Sequence, residues 1–216
     1  MDTDPQRERV ISTATRLYAE LGFDATTIDM ITATSGVSLP ELRWHFPNNT
    51  ELYREVMRRA FEAEREVMLE AIRDFTPTRE AFDHTLDAYL DFYASHPDLL
   101  NLWLHRRTGD AIDTADLDRE YTQPYLMFLT QALADSVPDP AHLDYVLWTF
   151  PWAVSGFLGH GMVHTDGHRP GRDATTPVTG RELEAFRTYL HVLAHRLLSL
   201  PTGVPSELEA ESWEVE

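Results

Sequence analysis

Apolar positions recur along this chain at spacings of three and four, the period of an amphipathic helix, and no stretch alternates long enough to read as a strand. The first stripe is Val10, Ile11, Ala14, Leu17, Tyr18 and Leu21, with Asp4 placed to cap, Pro5 at the first helical position and Gly22 placed to stop the helix. A short segment from about Thr27 to Thr34 turns Ile28 and Ile31 inward, and Gly36 supplies the turn after it. Ser38 and Glu41 form a capping box that opens a helix to His45, where Leu42 and Phe46 stand four apart on one buried face. Asn48 and Glu51 repeat the device. A long helix from about Leu52 to Phe75 then sets Val56, Ala60, Ala63, Val67 and Ala71 inward, and Pro77 follows its end.

Beyond Pro77 the pattern predicts helices over about 78–95, 97–108 and 114–136. Asp139 and Pro140 open a helix whose residues 142–163 are apolar on nearly every side, as expected of an element buried on more than one face. Thr179 and Glu182 form a further capping box, and Leu183, Phe186, Leu190, Leu193 and Leu197 follow at heptad-like spacing. These two helices carry more apolar surface than one small domain can hide, which predicts a partner surface. The fold class is all-α, with about nine helices. Between the last two helices lies the polar loop "TDGHRPGRDATTPVTG", and after Pro201 the stretch "GVPSELEAESWEVE" reads as an acidic flexible tail.

Composition narrows the function. The 216 residues, 43% of them hydrophobic, can fill a sizeable core. The absence of cysteine removes disulfides, thiolate chemistry and Cys-ligated metals. A formal charge of −18, with arginine as the only basic residue besides histidine, argues against non-specific binding of nucleic acid or acidic membrane by the body of the protein. No long apolar run or secretory leader pattern is present, so a cytoplasmic protein with no membrane contact is expected. There is no glycine-rich phosphate loop and no internal repeat.

The stretch "AELGFDATTIDMITATSGVSLPELRWHFPNNTEL", residues 19–52, resembles the TetR family of transcriptional regulators, and "HPDLLNLWL" at 96–104 is similar to the family's second domain. The resemblance implies a three-helix helix-turn-helix head over residues 1–49, a helical ligand-binding and dimerisation domain over 50–200, and the tail over 201–216. It also implies a homodimer formed by the last two long helices, a palindromic double-stranded DNA operator, and a small apolar or aromatic effector that releases a repressor from it. The residues that would meet DNA are Thr27, Ser38, Leu39, Pro40, Arg43, Trp44, His45 and Asn49. Three of these depart from the family pattern: Arg43 replaces a usual Tyr, Asn49 a usual Lys and Pro40 a small residue. Over residues 1–50 four arginines face seven carboxylates, a net charge of −3, so the head should release few counterions on binding DNA.

In the body, Trp103, His105, Phe128, Trp148 and Trp152 are candidates to line a cavity for a flat, apolar compound, with Pro151 bending one wall. His160 with His164, and His191 with His195, are spaced four apart on helix faces, as metal-binding pairs would be. Neither pair encloses a Glu, both flank the leucine stripe, and no metal and no cofactor are expected. The alternative function is a related scaffold that has lost DNA binding and uses its aromatic pocket either as an enzyme of cyclase or isomerase type, with His105 or Asp110 as acid or base, or as a ligand-binding protein in a biosynthetic pathway.

Overall fold

The computed structural model describes residues 4–108, 115–161 and 178–202, and among these there are helices and connections but no strand. Four helices open the chain: α1 (Pro5–Leu21), α2 (Ile28–Ser35), α3 (Leu39–His45) and α4 (Asn49–Ala71). Each starts at a side chain that satisfies the first free backbone N–H groups. Asp4 accepts from the Gln6 N–H, Thr27 from Met30, Ser38 and Glu41 close a full capping box, and Asn48 accepts from Glu51. That last cap is why α4 begins at Asn49 rather than Leu52. It ends at Ala71, short of Phe75. Gly36, with φ of 70°, ends α2 in the left-handed conformation and returns its N–H to the Thr32 carbonyl.

Next come α5 (Arg79–Ser95), capped by Thr78, and α6 (Pro97–Thr108). The single helix expected over 114–136 is divided. A short α7 (Ala115–Leu117) runs into a π-helical turn, Asp118–Thr122, then α8 (Gln123–Ala132) and a 3-10 turn, Ala134–Ser136. Pro124 stands where the register changes, because it has no N–H to give the Glu120 carbonyl. A 3-10 turn capped by Asp139 leads into α9 (Leu143–His160), and a complete Thr179–Glu182 capping box opens α10 (Gly180–Leu197). Among the described residues no helix is long and apolar enough to cross a membrane. The loop at 162–177, which includes His164, and the tail from 203 onward lie outside the described residues.

Two apolar cores form. The first gathers Val10, Ala14, Tyr18, Ile31, Leu42, Phe46, Leu52, Tyr53, Val56 and Phe61, and it also takes in Leu102 of α6 and Leu117 of α7. The second is built from Phe82, Leu90, Tyr93, Leu133, Leu143, Phe150, Val154, Leu158, Leu190 and Ala194. α4 runs from the first core to Ile72 in the second, and α6 packs along α1 on one side and α9 on the other. Gly159 lets α9 approach α6 closely, since a Cβ there would lie 2.7 Å from Leu104 Cδ1. On α9 only the row Leu143, Leu147, Phe150, Val154 and Leu158 is buried. Of its other apolar residues, Val146, Ala153 and Phe157 are partly buried against the same core, Trp148 and Pro151 line a cavity, and Tyr145 and Trp152 line it while remaining exposed.

Charged groups fasten α1 to α4. Arg7 donates to Glu55 at 2.8 Å, Arg59 reaches Glu8 at 2.5 Å, and Arg58 adds a further bond to Glu55 at 2.9 Å. Burial works to raise the Glu55 carboxyl, but hydrogen bonds from Arg58, Arg7 and Arg59 outweigh it and bring the pKa down to about 2. Across the other end, α10 lies on α5 through His191 to Asp87 at 2.8 Å, His195 to Asp83 at 3.0 Å and Arg187 to Asp87 at 2.9 Å. The two histidines thus face carboxylates of a neighbouring helix.

Candidate functional site

Two places concentrate unusual chemistry: the outer face of α2 and α3, and a cavity inside the second core. α3 is short, and its capping box fixes both its start and its roll. Ser38 Oγ donates to Glu41 Oε2 at 2.7 Å, while the Ser38 N–H reaches the same oxygen at 3.1 Å. These bonds hold the Glu41 carboxyl below its usual pKa. With Leu42 buried under the helix, Pro40, Arg43 and Trp44 are turned outward, and Trp44 is 85% exposed. Thr27 and Ser38 are exposed as caps, whereas Leu39 and His45 are half-buried. His45 Nε2 lies 3.3 Å from Asp4 Oδ2 of α1.

Asn49 is placed differently from the rest of that set. Its Oδ1 accepts from the Tyr18 hydroxyl at 2.7 Å and its Nδ2 donates to the Thr26 carbonyl at 2.9 Å. Both ends of the amide are therefore spent joining α4 to α1 and to the turn before α2. Pro40 sits in the first turn of α3, where its missing N–H costs no internal bond.

The cavity has a volume of about 970 Å³. Helix α6 supplies Leu100, Trp103, Leu104 and Arg106; α5 supplies Tyr89 and Tyr93; α9 supplies Trp148, Pro151, Trp152 and Ser155. The π-helical turn contributes Asp118, Arg119 and Thr122, and α8 contributes Tyr125 and Leu126. Pro151 has no N–H for the Leu147 carbonyl, so the α9 wall is interrupted where it meets the cavity. Trp148 and Trp152 stack with ring centroids 6.2 Å apart. Arg106 pairs with Asp118 and lies 5.2 Å from the Trp103 ring. The Trp103 indole N–H is buried without a hydrogen-bond acceptor.

At the α4 wall stands Glu64, 5% exposed. The Tyr93 hydroxyl donates to its Oε2 at 2.7 Å and the Tyr125 hydroxyl to its Oε1 at 3.1 Å. Burial pushes the Tyr93 hydroxyl well above its ordinary pKa, and the charge of Glu64 adds to the effect.

Trp103, Trp148 and Trp152 are thus brought together around the cavity, and His105 and Phe128 are not. His105 is two residues from Trp103 and so points to another side of α6. Phe128 stands two residues beyond Leu126, lies edge-on to Phe75 at 6.1 Å, and lines a separate hollow of about 310 Å³ with Arg65, Leu69 and Tyr121. Asp110 lies outside the described residues. The Glu64–Tyr93–Tyr125 cluster was not among the sequence candidates. Its signal was present: Leu52, Val56, Ala60, Glu64 and Met68 form a row at steps of four with one carboxylate in it.

Residues 10–56 match the family model described as bacterial regulatory proteins, tetR family. Over 89 residues the chain is 29% identical to the HTH-type transcriptional activator FasR of Mycolicibacterium smegmatis, and the match spans 41% of each of the two chains. Among solved structures, a bacterial regulatory protein in the tetR family from Rhodococcus RHA1 superposes with a TM-score of 0.67 at 15% identity, covering 94% of this chain and 100% of that one. AibR, in complex with isovaleryl coenzyme A and operator DNA, gives 0.66 at 16% identity over 90% and 99% of the two chains. At such identities these structures establish a shared fold.

Proposed function

The chain belongs to the TetR family of bacterial regulatory proteins, and we propose that it is a homodimeric transcriptional repressor that a small apolar or aromatic molecule releases from a palindromic operator. In this reading residues 1–49 form the DNA-binding head, with Thr27, Ser38, Pro40, Arg43 and Trp44 towards the duplex, and residues 50–200 form the effector-binding and dimerisation body. The observation that carries the proposal is the double membership of α6. Leu102, fully buried, belongs to the core of the head, while Leu100, Trp103 and Leu104 on the same helix line the cavity. α4 is built the same way, with Phe61 in the head core and Glu64 at the cavity less than one turn later. A molecule that fills the cavity therefore moves two helices that the head is packed against, and a packed core passes such shifts on as a unit.

Support for the dimer comes from the outward apolar residues of the last two helices. Trp152, Tyr189 and Val192 are exposed, and Phe157 stacks on Phe186 with centroids 3.9 Å apart. AibR, which shares the fold, was solved in complex with isovaleryl coenzyme A and operator DNA. The test is nuclease footprinting of the region upstream of the gene, together with sedimentation of the complex. The proposal expects a symmetric protected site holding two chains, one per half-site. A monomer on DNA, or uniform protection of every sequence, would overturn it.

A further inference from the structure

We propose that the hollow between α4 and α8 is the docking site of this chain's own acidic tail, with Trp213 seated in it and the flanking glutamates on its two arginines. The hollow, of about 310 Å³, is lined by Leu69, Ile72, Tyr121 and Phe128 together with Arg65 and Arg73. Among the described residues that lining holds no carboxylate, although the chain has a formal net charge of −18. Leu69 and Phe128 are 40% and 41% exposed, so its apolar surface stands open to water. Arg65 makes no ion pair with a described residue, and the Arg73–Glu70 pair is exposed, so a second carboxylate replaces it at little cost.

The hollow therefore suits an apolar group flanked by negative charge. Residues 203–216, "GVPSELEAESWEVE", carry that pattern: five glutamates, with Leu208, Trp213 and Val215 set among them and no basic residue. The tail also starts close to the hollow. Arg79 holds the chain just before it, donating from its backbone N–H to the Pro201 carbonyl at 3.0 Å and from its Nε to the Leu200 carbonyl at 3.1 Å. Phe75, four residues before Arg79, lies edge-on to Phe128 with centroids 6.1 Å apart, which puts the start of the tail within roughly 20 Å of the hollow. Trp213 stands eleven positions beyond Thr202, a span of up to about 36 Å, and so covers that distance. A tethered segment sits at an effective concentration in the millimolar range, so a millimolar intrinsic affinity is enough to fill the site. Tyr125 lines both the hollow and the large cavity, and the docked tail closes the outer side of the wall they share.

The chain has no cysteine, so Ser212→Cys gives a single labelling site, beside Trp213. The full chain carries an uncharged fluorophore there, and time-resolved anisotropy separates label that turns with the body from label that turns freely. Most of the label should turn with the body at low salt, and the free fraction should grow at about 0.5 M NaCl, where the screening length falls to about 4 Å. Arg65→Glu with Arg73→Glu should raise the free fraction at least about threefold, and adding Glu211→Arg with Glu214→Arg should return it to within about twofold of its starting value. Both arginines are exposed, so these reversals leave the fold in place. Phe128→Ser should free the label with no change of charge, whereas Arg181→Glu, on the exposed start of α10, should leave it held. A label that turns freely with no substitution in the hollow leaves the hollow to another occupant and overturns the proposal. So does a label still held after both the arginine reversals and Phe128→Ser, or a reversal that the tail substitutions do not repair. A held fraction that disappears on dilution assigns the tail to a second copy rather than to its own chain, and overturns it as well.

Discussion

Replacing Asn49 by Ala separates a structural role from a DNA contact at the start of α4. The substitution deletes an acceptor 2.7 Å from the Tyr18 hydroxyl and a donor 2.9 Å from the Thr26 carbonyl. Tyr18 is fully buried and Thr26 nearly so, so both partners lose a bond in a place water reaches poorly. Tyr18 keeps a weaker contact to the Asn49 carbonyl at 3.3 Å, which lowers the loss on its side. A net bond contributes about 0.5–1.5 kcal/mol, and a stranded buried group costs about 1–3 kcal/mol. Alanine gains back a few tenths of a kcal/mol, roughly, in helix propensity. The variant should therefore lose about 1.5–2.5 kcal/mol, read as a fall in the urea midpoint at unchanged slope. For a chain of this size that corresponds to a drop in Tm of about 4–8 °C. DNA affinity, measured well below the transition where the variant is folded, should stay within about threefold of wild type, since the amide faces inward. Unchanged stability with lost DNA binding would refute the reasoning and return Asn49 to the DNA face.

Arg43→Ala should weaken DNA binding across sequences and lower the slope of log K against log salt by about 1, as loss of one phosphate contact does; an unchanged slope would place Arg43 off the backbone. Leu102→Ala should cost about 2–4 kcal/mol in urea unfolding, because it opens a hole in the head core from the α6 side, and should weaken the response of DNA binding to a cavity ligand. Glu55 has a folded pKa of about 2, below the ordinary 4.5 of a glutamate, so its contribution is present above pH 4.5 and is lost as pH falls from there towards 2. Glu55→Gln should remove about 1–2 kcal/mol at neutral pH and flatten the acid limb of the stability profile; a parallel profile would show that the arginine cluster does not depend on this carboxylate.

Much of the fold was legible because it is written in local rules. Asp4, Thr27, Ser38, Asn48, Thr78, Asp139 and Thr179 cap where a short polar side chain meets the start of an apolar stripe, and of the three capping boxes expected, Ser38–Glu41 and Thr179–Glu182 closed in full while Asn48 accepts from the Glu51 N–H. What local rules do not encode is the break at Asp118–Thr122, where Pro124 changes the register of an otherwise continuous helical pattern. The cavity was legible in part. Trp103, Trp148 and Trp152 were found because aromatic residues crowd one region, but composition alone could not tell which face of α6 or α8 turns inward, so His105 and Phe128 were grouped with them. Asn49 was assigned by resemblance to a position that commonly touches phosphate, and only the packing of Tyr18 and Thr26 against α4 shows what its amide meets. Glu64 was readable as one charged residue in an apolar row, yet its meaning depends on Tyr93 and Tyr125, which lie on two other helices.

The central claim, that this acidic head reads DNA, is tested most directly by fluorescence anisotropy of the full chain against duplexes tiled across its own upstream intergenic region, at two salt concentrations, with Arg43→Ala alongside. The account predicts one tile bound selectively, more weakly at higher salt and more weakly by the variant. Binding to no tile at the lower salt, or equal binding to all tiles by both proteins, would contradict it.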